Sequence, residues 1–249
     1  MWRQLRMRLN KFISETGICS RREADGWIES GRVQINGKPA ELGTQVGEGD
    51  EVSVDGKAIG RREQAHVYIA LNKPVGIVCT TDRAERGNIV DFINHPQRIF
   101  PIGRLDKDSE GLILLTSNGD IVNELLRSEN NHEKEYVVRV DQPVSARLTA
   151  GMAGGVHLPE LGETTKPCKV TAVDAHTLRI VLTQGLNRQI RRMCKVFGYE
   201  VRRLQRVRFV NIRLGGLKPG QWRDLELHEL RTLLPHRAES FARPAAPRS

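Results

Sequence analysis

Only four cysteines occur in the 249 residues, Cys19, Cys79, Cys168 and Cys194. No two form a C-x-x-C pair, so neither a zinc ribbon nor a dithiol redox motif is available. They read as reduced thiols of an intracellular protein. Long apolar runs are also missing: nothing approaches the roughly 20 residues a membrane-spanning helix needs. The opening Met1-Trp2-Arg3-Gln4-Leu5-Arg6 leads into no hydrophobic signal core. A soluble, cytoplasmic protein is expected. No phosphate-binding loop, no dinucleotide fingerprint and no metal-ligand cluster is found, which argues against nucleotide hydrolysis, hydride transfer and metal catalysis. No internal repeat is present.

Positive charge, by contrast, is plentiful. The net charge is +9 and the pI about 9.7, a balance that favours a polyanionic partner. Its distribution is the stronger clue. Residues 1–38 net +4 and residues 184–213 net +8, which leaves −3 for everything else. Two separate basic segments on a neutral-to-acidic background suggest two nucleic-acid-facing surfaces.

The chain is long enough for a small domain followed by a larger one. Leu9, Phe12 and Ile13 share a helical face, and Gly17 is a plausible stop. Ser20 with Glu23 three residues on is a capping-box pattern opening a second helix that buries Ala24, Trp27 and Ile28. Val33-Gln34-Ile35 and Asp50–Val54 read as strands closed by Asn36-Gly37 and Asp55-Gly56 turns. Arg8, Lys11, Arg21 and Arg22 lie off the apolar faces, as a solvated charged face or a phosphate-binding patch. Residues 60–65 read as a linker. Beyond it, Val67–Leu71, Ile113–Thr116, Tyr136–Val140, Leu178–Leu182 and Val201–Arg213 have strand character, and 119–127 has a helical stripe. Strands and helices interleave without a regular βαβ repeat, which favours α+β. Arg188–Phe197 is the clearest helix. Ile190, Met193, Cys194 and Phe197 line one face, and Arg188, Arg191, Arg192 and Lys195 form a cationic row on another. Residues 236–249 carry no periodicity and are expected to be disordered.

Gly103-Arg104-Leu105-Asp106-Lys107-Asp108-Ser109-Glu110-Gly111-Leu112 is a charged turn running into an apolar strand. By itself it is compatible with a surface turn capped by an aspartate or with a carboxylate presented by a rigid scaffold. Three further segments accompany it in order: Leu71-Asn72-Lys73-Pro74-Val75-Gly76, Lys134-Glu135-Tyr136, and Gly185-Leu186-Asn187-Arg188-Gln189-Ile190-Arg191-Arg192-Met193. Together they resemble the RsuA/RluB/RluF family of RNA pseudouridine synthases, over roughly residues 7–235. The N-terminus is similar to the S4 RNA-binding module that precedes the catalytic domain there. Val181–Asn187, His132–Tyr136 and Gly198–Val201 look most like the RluF branch.

The resemblance implies an S4-like module at 7–59 and a catalytic domain at 66–235. The catalytic domain would be built on a mixed, mainly antiparallel sheet flanked by helices. It implies that a uridine in RNA is converted to pseudouridine by breaking the N1–C1′ bond and rejoining the base through C5; the RluF branch points to 23S ribosomal RNA, while the RluB and RsuA branches, the latter acting on small-subunit RNA, stay open. The reaction is redox-neutral, so no cofactor is implied. Asp106 would be the essential carboxylate, acting by attack at C6, attack at C1′ or a glycal route. Tyr136 would stack on the uracil, and Arg191 would be the cation beside Asp106. Arg104, Arg188, Ile190 and Lys73 would contact the substrate or shape its site. Arg8, Lys11, Arg21, Arg22, Arg192 and Lys195 would contact RNA. Chemistry on one base requires that it be unstacked, which favours a loop or bulge over continuous duplex. Transfer RNA is a second candidate partner, and a monomer is the default. A non-catalytic ribosome-assembly factor would also explain the basic segments, but not the Asp, Tyr and Arg motifs together. A hydrolase using Asp106 with Asp108 or Glu110 lacks a recognisable water-activating set.

Overall fold

A computed structural model describes residues 6–60, 65–127, 131–239 and 241. The chain divides into two compact units, Met1–Ala65 and His66–Ser249.

In the first unit, helices Leu9–Glu15 and Arg21–Glu29 pack over short strands. Ser20 and Glu23 form the reciprocal capping box that their spacing calls for. Strands Val33–Ile35, Lys38–Pro39, Val52–Val54 and Lys57–Ile59 make a four-stranded antiparallel sheet. Both of its two-residue turns, Asn36-Gly37 and Asp55-Gly56, hold positive φ at both positions, the backbone that matches strand twist in tight hairpins. Leu9, Ile13, Ala24, Ile28, Val33 and Val52 form the core. Trp27, expected in that core, is only half-buried, and the Arg32 guanidinium lies 4.9 Å from its ring centre. Arg8, Arg21 and Arg22 stay exposed. Residues 61–64, most of the expected linker, lie outside the described residues.

The second unit is built on a nine-stranded sheet. Its main path runs Lys169–Asp174, Thr177–Leu182, Lys134–Val140, Val201–Phe209, Glu110–Thr116, Tyr68–Lys73, Trp222–Asp224. Every pairing is antiparallel except Val201–Phe209 with Glu110–Thr116. The class is α+β. Two cores flank the sheet. One joins Tyr136, Val138, Leu178 and Ile180 to Leu148, Met152, Ile190, Met193 and Cys194. The other joins Leu112 and Leu114 to Ile121, Leu125, Leu230 and Leu233.

The parallel contact explains one glycine in the Asp106 motif. Gly111 is the Cα partner of Arg206 and has φ 102°. A Cβ there would overlap the Arg206 backbone. Only glycine lets the two strands approach this closely.

Four details depart from the sequence expectation. The arginine helix spans Gln189–Val196, because Arg188 takes left-handed backbone (φ 49°) and ends the preceding loop rather than starting the helix. The expected strand to Arg213 breaks after Phe209, where Val210 has φ 53°. The helix Ala146–Ala153, capped by Ser145, gave no clear sequence signal; it buries only Leu148 and Met152. The expected disordered tail is also placed in part. His236 and Arg237 reach Glu124 at 2.8 and 3.1 Å, and Phe241 packs edge-on against Tyr68. Residues 242–249 lie outside the described residues. Among those described, no helix is long and apolar enough to cross a membrane.

Candidate active site

Asp106 sits on a loop pinned on several sides. Gly103 turns the chain with φ 79°. Leu105 is buried, and its N–H points to the Cys79 sulfur at 3.4 Å. The Lys107 carbonyl accepts from Gly76 N–H at 2.8 Å, and the Asp106 carbonyl accepts from Ser109 N–H at 3.0 Å. With its backbone fixed, the loop leaves the Asp106 side chain 35% exposed. It lines a cavity of about 630 Å³ shared with Arg104, Lys134, Tyr136, Arg188, Ile190 and Arg206.

Tyr136 and Ile190 come from different elements, a strand and a helix. Tyr136 is 9% exposed on the Lys134–Val140 strand, beside a register shift at Glu135/Tyr136. Such an irregularity re-aims a side chain. Ile190 is 5% exposed in the first turn of the arginine helix. A carboxylate, an aromatic ring and an apolar side chain therefore converge on a space large enough for a nucleoside.

The aspartate loop is clamped to the arginine helix through Asp108. Arg188 donates two hydrogen bonds to its carboxylate, at 3.0 and 2.8 Å. Arg191 lies 3.4 Å from the same carboxylate and donates to the Asp108 carbonyl at 2.8 Å and to Ser109 Oγ at 3.4 Å. The Arg188 hydrogen bonds, with both positive charges, hold the Asp108 carboxyl below its usual range. The cation in contact with Asp106 is Arg188, with Nη1 to Oδ2 at 3.9 Å. Arg191, expected in that place, is drawn instead to Asp108 and to the Val201 carbonyl at 3.2 Å. Its position in the helix, one turn beyond Arg188, points it at the far end of the loop.

Lys73, expected to contact the substrate or shape the site wall, takes a structural place. It is fully buried, and its ammonium donates to the Pro74 and Ile77 carbonyls at 3.0 and 2.9 Å. It braces the turn beneath the aspartate loop and does not line the cavity. Burial lowers its pKa from the ordinary lysine value. Arg104 lines the cavity and is exposed. The cationic row on the arginine helix is not free: Arg192 and Lys195 both pair with Glu160. In the first unit, Lys11 pairs with Glu15 at 3.5 Å, and Arg21 reaches Asn10 at 3.4 Å.

Residues 67–195 match the family described as RNA pseudouridylate synthase, and residues 7–52 match the S4 domain. The chain belongs to the RNA pseudouridine synthase family. Among relatives, it is 57% identical over 243 residues to the dual-specificity RNA pseudouridine synthase RluF of Escherichia coli O6:H1, covering 96% of this chain and 83% of that one. It is 36% identical to the ribosomal large subunit pseudouridine synthase B of Bacillus subtilis, covering 94% and 99%. A crystal structure of a pseudouridylate synthase superposes with a TM-score of 0.68 at 31% identity, covering 91% of this chain and 99% of that one. The protein is thus an RNA pseudouridine synthase, an isomerase acting on uridine in RNA. The interleaved strands and the ordered motifs had pointed to this family and to this fold.

Three residues of this synthase's cavity region escaped the sequence reading: Asp108 as the clamp, and Lys134 and Arg206 as cavity cations. For Arg206 a signal existed. Leu204 faces the core, and period-two alternation puts Arg206 on the same face.

Proposed function

We propose that this enzyme isomerises a loop or bulge uridine of 23S ribosomal RNA, with a transfer RNA uridine as a second substrate, and that Asp106 is its nucleophilic carboxylate. One observation carries the reading: Asp106 and Tyr136, far apart in sequence, line a single cavity with Arg188 against the aspartate. The flipped uridine stacks on Tyr136 above Ile190. Arg188 sets a positive charge beside the Asp106 carboxylate. The N1–C1′ bond breaks, the uracil turns within the cavity, C5 bonds to C1′, any bond to Asp106 is released, the C5 proton leaves and N1 takes up a proton, so substrate and product are isomers. Extrusion of the base costs a few kcal/mol, least where it is unpaired. Arg191 acts through Asp108 by holding the loop. The target assignment is supported by the relatives' names, one a dual-specificity enzyme and one a large-subunit enzyme. Arg8, Arg21 and Arg22 supply a second RNA contact on the same chain, which raises affinity through effective concentration.

The test is pseudouridine mapping of ribosomal and transfer RNA from cells with and without the gene, rescued by wild type or by Asp106→Asn. The expected result is loss of a large-subunit site that wild type restores and the variant does not. No lost site would overturn the target, and rescue by Asp106→Asn would remove that residue from the chemistry.

A further inference from the structure

Among the described residues, four cations that line the cavity form no ion pair; Arg104 and Lys107 are exposed to solvent, whereas Arg206 is buried and Lys134 half-buried. Arg206 is 4% exposed, and its Nε donates to the Leu112 carbonyl at 2.6 Å. Among the described residues no ion pair involves it and its terminal nitrogens make no hydrogen bond, and the residue lines the cavity. The Phe209 ring, 5.9 Å from the guanidinium carbon, covers one side. Lys134 donates to the His132 and Thr183 carbonyls at 3.2 and 3.0 Å, and among the described residues it too has no ion pair. Two carbonyls use two of its three N–H groups and cancel none of its charge. The neighbouring arginines differ: Arg179, Arg188, Arg191, Arg203 and Arg208 all hold a carboxylate.

A buried cation with no counter-charge is costly, by several kcal/mol after relaxation. Here Arg206 is buried and Lys134 beside it half-buried, and the two repel. Burial first, and Arg206 second, lower the Lys134 pKa to about 8. Their position is informative. Arg206 is the Cα partner of Tyr136 on one side and of Gly111 on the other, so the absent Cβ of Gly111 is what admits this strand. Lys134 lies two residues before Tyr136, on the same face of its strand.

We propose that Arg206 and Lys134 form a built anion subsite that receives an anionic oxygen of the target nucleotide. The oxygen belongs to a backbone phosphate beside the flipped uridine or to the uracil after its bond to C1′ has opened. The inference rests on the synthase reading of the same cavity and assigns it two further substrate-contacting residues. Both sources place negative charge where the protein has left positive charge uncovered. They differ in timing, since a phosphate is charged throughout and the base only during reaction.

The experiment uses full-length protein and unmodified 23S ribosomal RNA transcript carrying 5-tritiated uridine. Tritium release reports loss of the C5 hydrogen. Arg206→Gln, Arg206→Lys and Lys134→Met are each assayed for single-turnover rate at saturating RNA and for RNA affinity across a salt series. A phosphate ligand weakens affinity in Arg206→Gln and Lys134→Met and makes the salt dependence shallower by about 0.7 per lost contact, with the rate within about twofold of wild type. A base ligand leaves affinity unchanged and lowers the rate by roughly 10²–10³-fold, the scale for removing a donor to developing charge. In both cases Arg206→Lys recovers most of the loss. The proposal is overturned if rate and affinity stay at wild-type values in Arg206→Gln and Lys134→Met. It is also overturned if Arg206→Gln and Arg206→Lys fail alike with lowered melting temperatures while Lys134→Met is unaffected. If wild type releases no tritium from this transcript, from small-subunit RNA or from transfer RNA, the synthase reading itself fails; the salt series then decides the subsite alone, with an unchanged slope in both variants sinking it.

Discussion

The two basic segments of this chain look alike in composition and work differently in structure. In the first unit, Arg8, Arg21 and Arg22 are exposed, and none forms an ion pair among the described residues. In the second, between residues 188 and 208, almost every cation is engaged by an acid. Arg188 and Arg191 hold Asp108, Arg192 and Lys195 hold Glu160, Arg203 holds Glu110, and Arg208 bridges Glu133 and Glu135. The first set is available to phosphate and should carry salt-dependent affinity. The second fixes a loop, a helix and a sheet around a cavity. Counting charges in sequence cannot separate these uses, because the partner acids lie up to 93 residues away in the chain.

The sharpest division between holding and reacting is at Asp106 and Asp108, two residues apart. Asp106→Asn should lower turnover by at least about 10³-fold, a loss in the range for disabling a single catalytic group. RNA affinity should change by less than about twofold, since Asp106 makes one long ion contact. Tritium release and filter binding on the same preparation measure both. A variant with full turnover would place the chemistry elsewhere.

Asp108→Ala should rank second. It frees Arg188 and Arg191 together and loosens the loop that carries Asp106. Misplacing a reacting group by about 1 Å costs up to roughly 10²-fold in rate, so a 10–100-fold fall in single-turnover rate is expected, with affinity kept. The clamp also has a pH signature. The folded-state pKa of Asp108 lies below its ordinary value. Its contribution is therefore present above the unfolded value of about 3.9 and lost as pH falls through the lowered one. Between pH 5 and 8 the wild-type rate should show no titration step from Asp108. A clear step there that disappears in Asp108→Asn would contradict the clamp.

Much of this arrangement was legible in the sequence for identifiable reasons. The capping box at Ser20, the Asn36-Gly37 and Asp55-Gly56 turns and the apolar face of the arginine helix are local, and local rules decide them. The Asp106 loop and Tyr136 were recognisable as motifs. Pairing was not. Nothing local shows that Arg191 passes by Asp106 to hold Asp108, because a backbone turn at Arg188 sets where the helix starts. Nothing local shows that Lys73 is sealed away, because its two carbonyl partners lie on a turn that folds back over it. The uncovered charge of Arg206 depends on an absence of acids that only the assembled sheet reveals.

Replacing Arg8, Arg21 and Arg22 together by Gln tests the other half of the comparison. If all three touch phosphate, the slope of log affinity against log salt should become shallower by about 2, from roughly 0.7 per contact. Affinity near physiological salt should drop about tenfold, while the rate at saturating RNA is unchanged. An unaltered slope would mean that the exposed arginines of the first unit face solvent, and that the contrast between the two segments is only one of burial.

The smallest effect should come from the pair that composition alone would rank among the best RNA contacts. Arg192 and Lys195 share Glu160, and Lys195 also sits in the last turn of its helix, where the helix dipole favours a cation. Replacing Lys195 by Gln removes a largely exposed ion pair, worth about 0–1 kcal/mol. RNA affinity and its salt slope should both stay within experimental scatter of wild type, because a cation already neutralised by Glu160 has little charge left to offer a phosphate. Glu160→Gln then supplies the opposite arm. By releasing both cations it should tighten RNA binding at low salt by up to a fewfold, an increase that vanishes as salt rises. A marked loss of affinity in Lys195→Gln would show that RNA displaces Glu160, and that the two segments differ in their resting contacts rather than in their use.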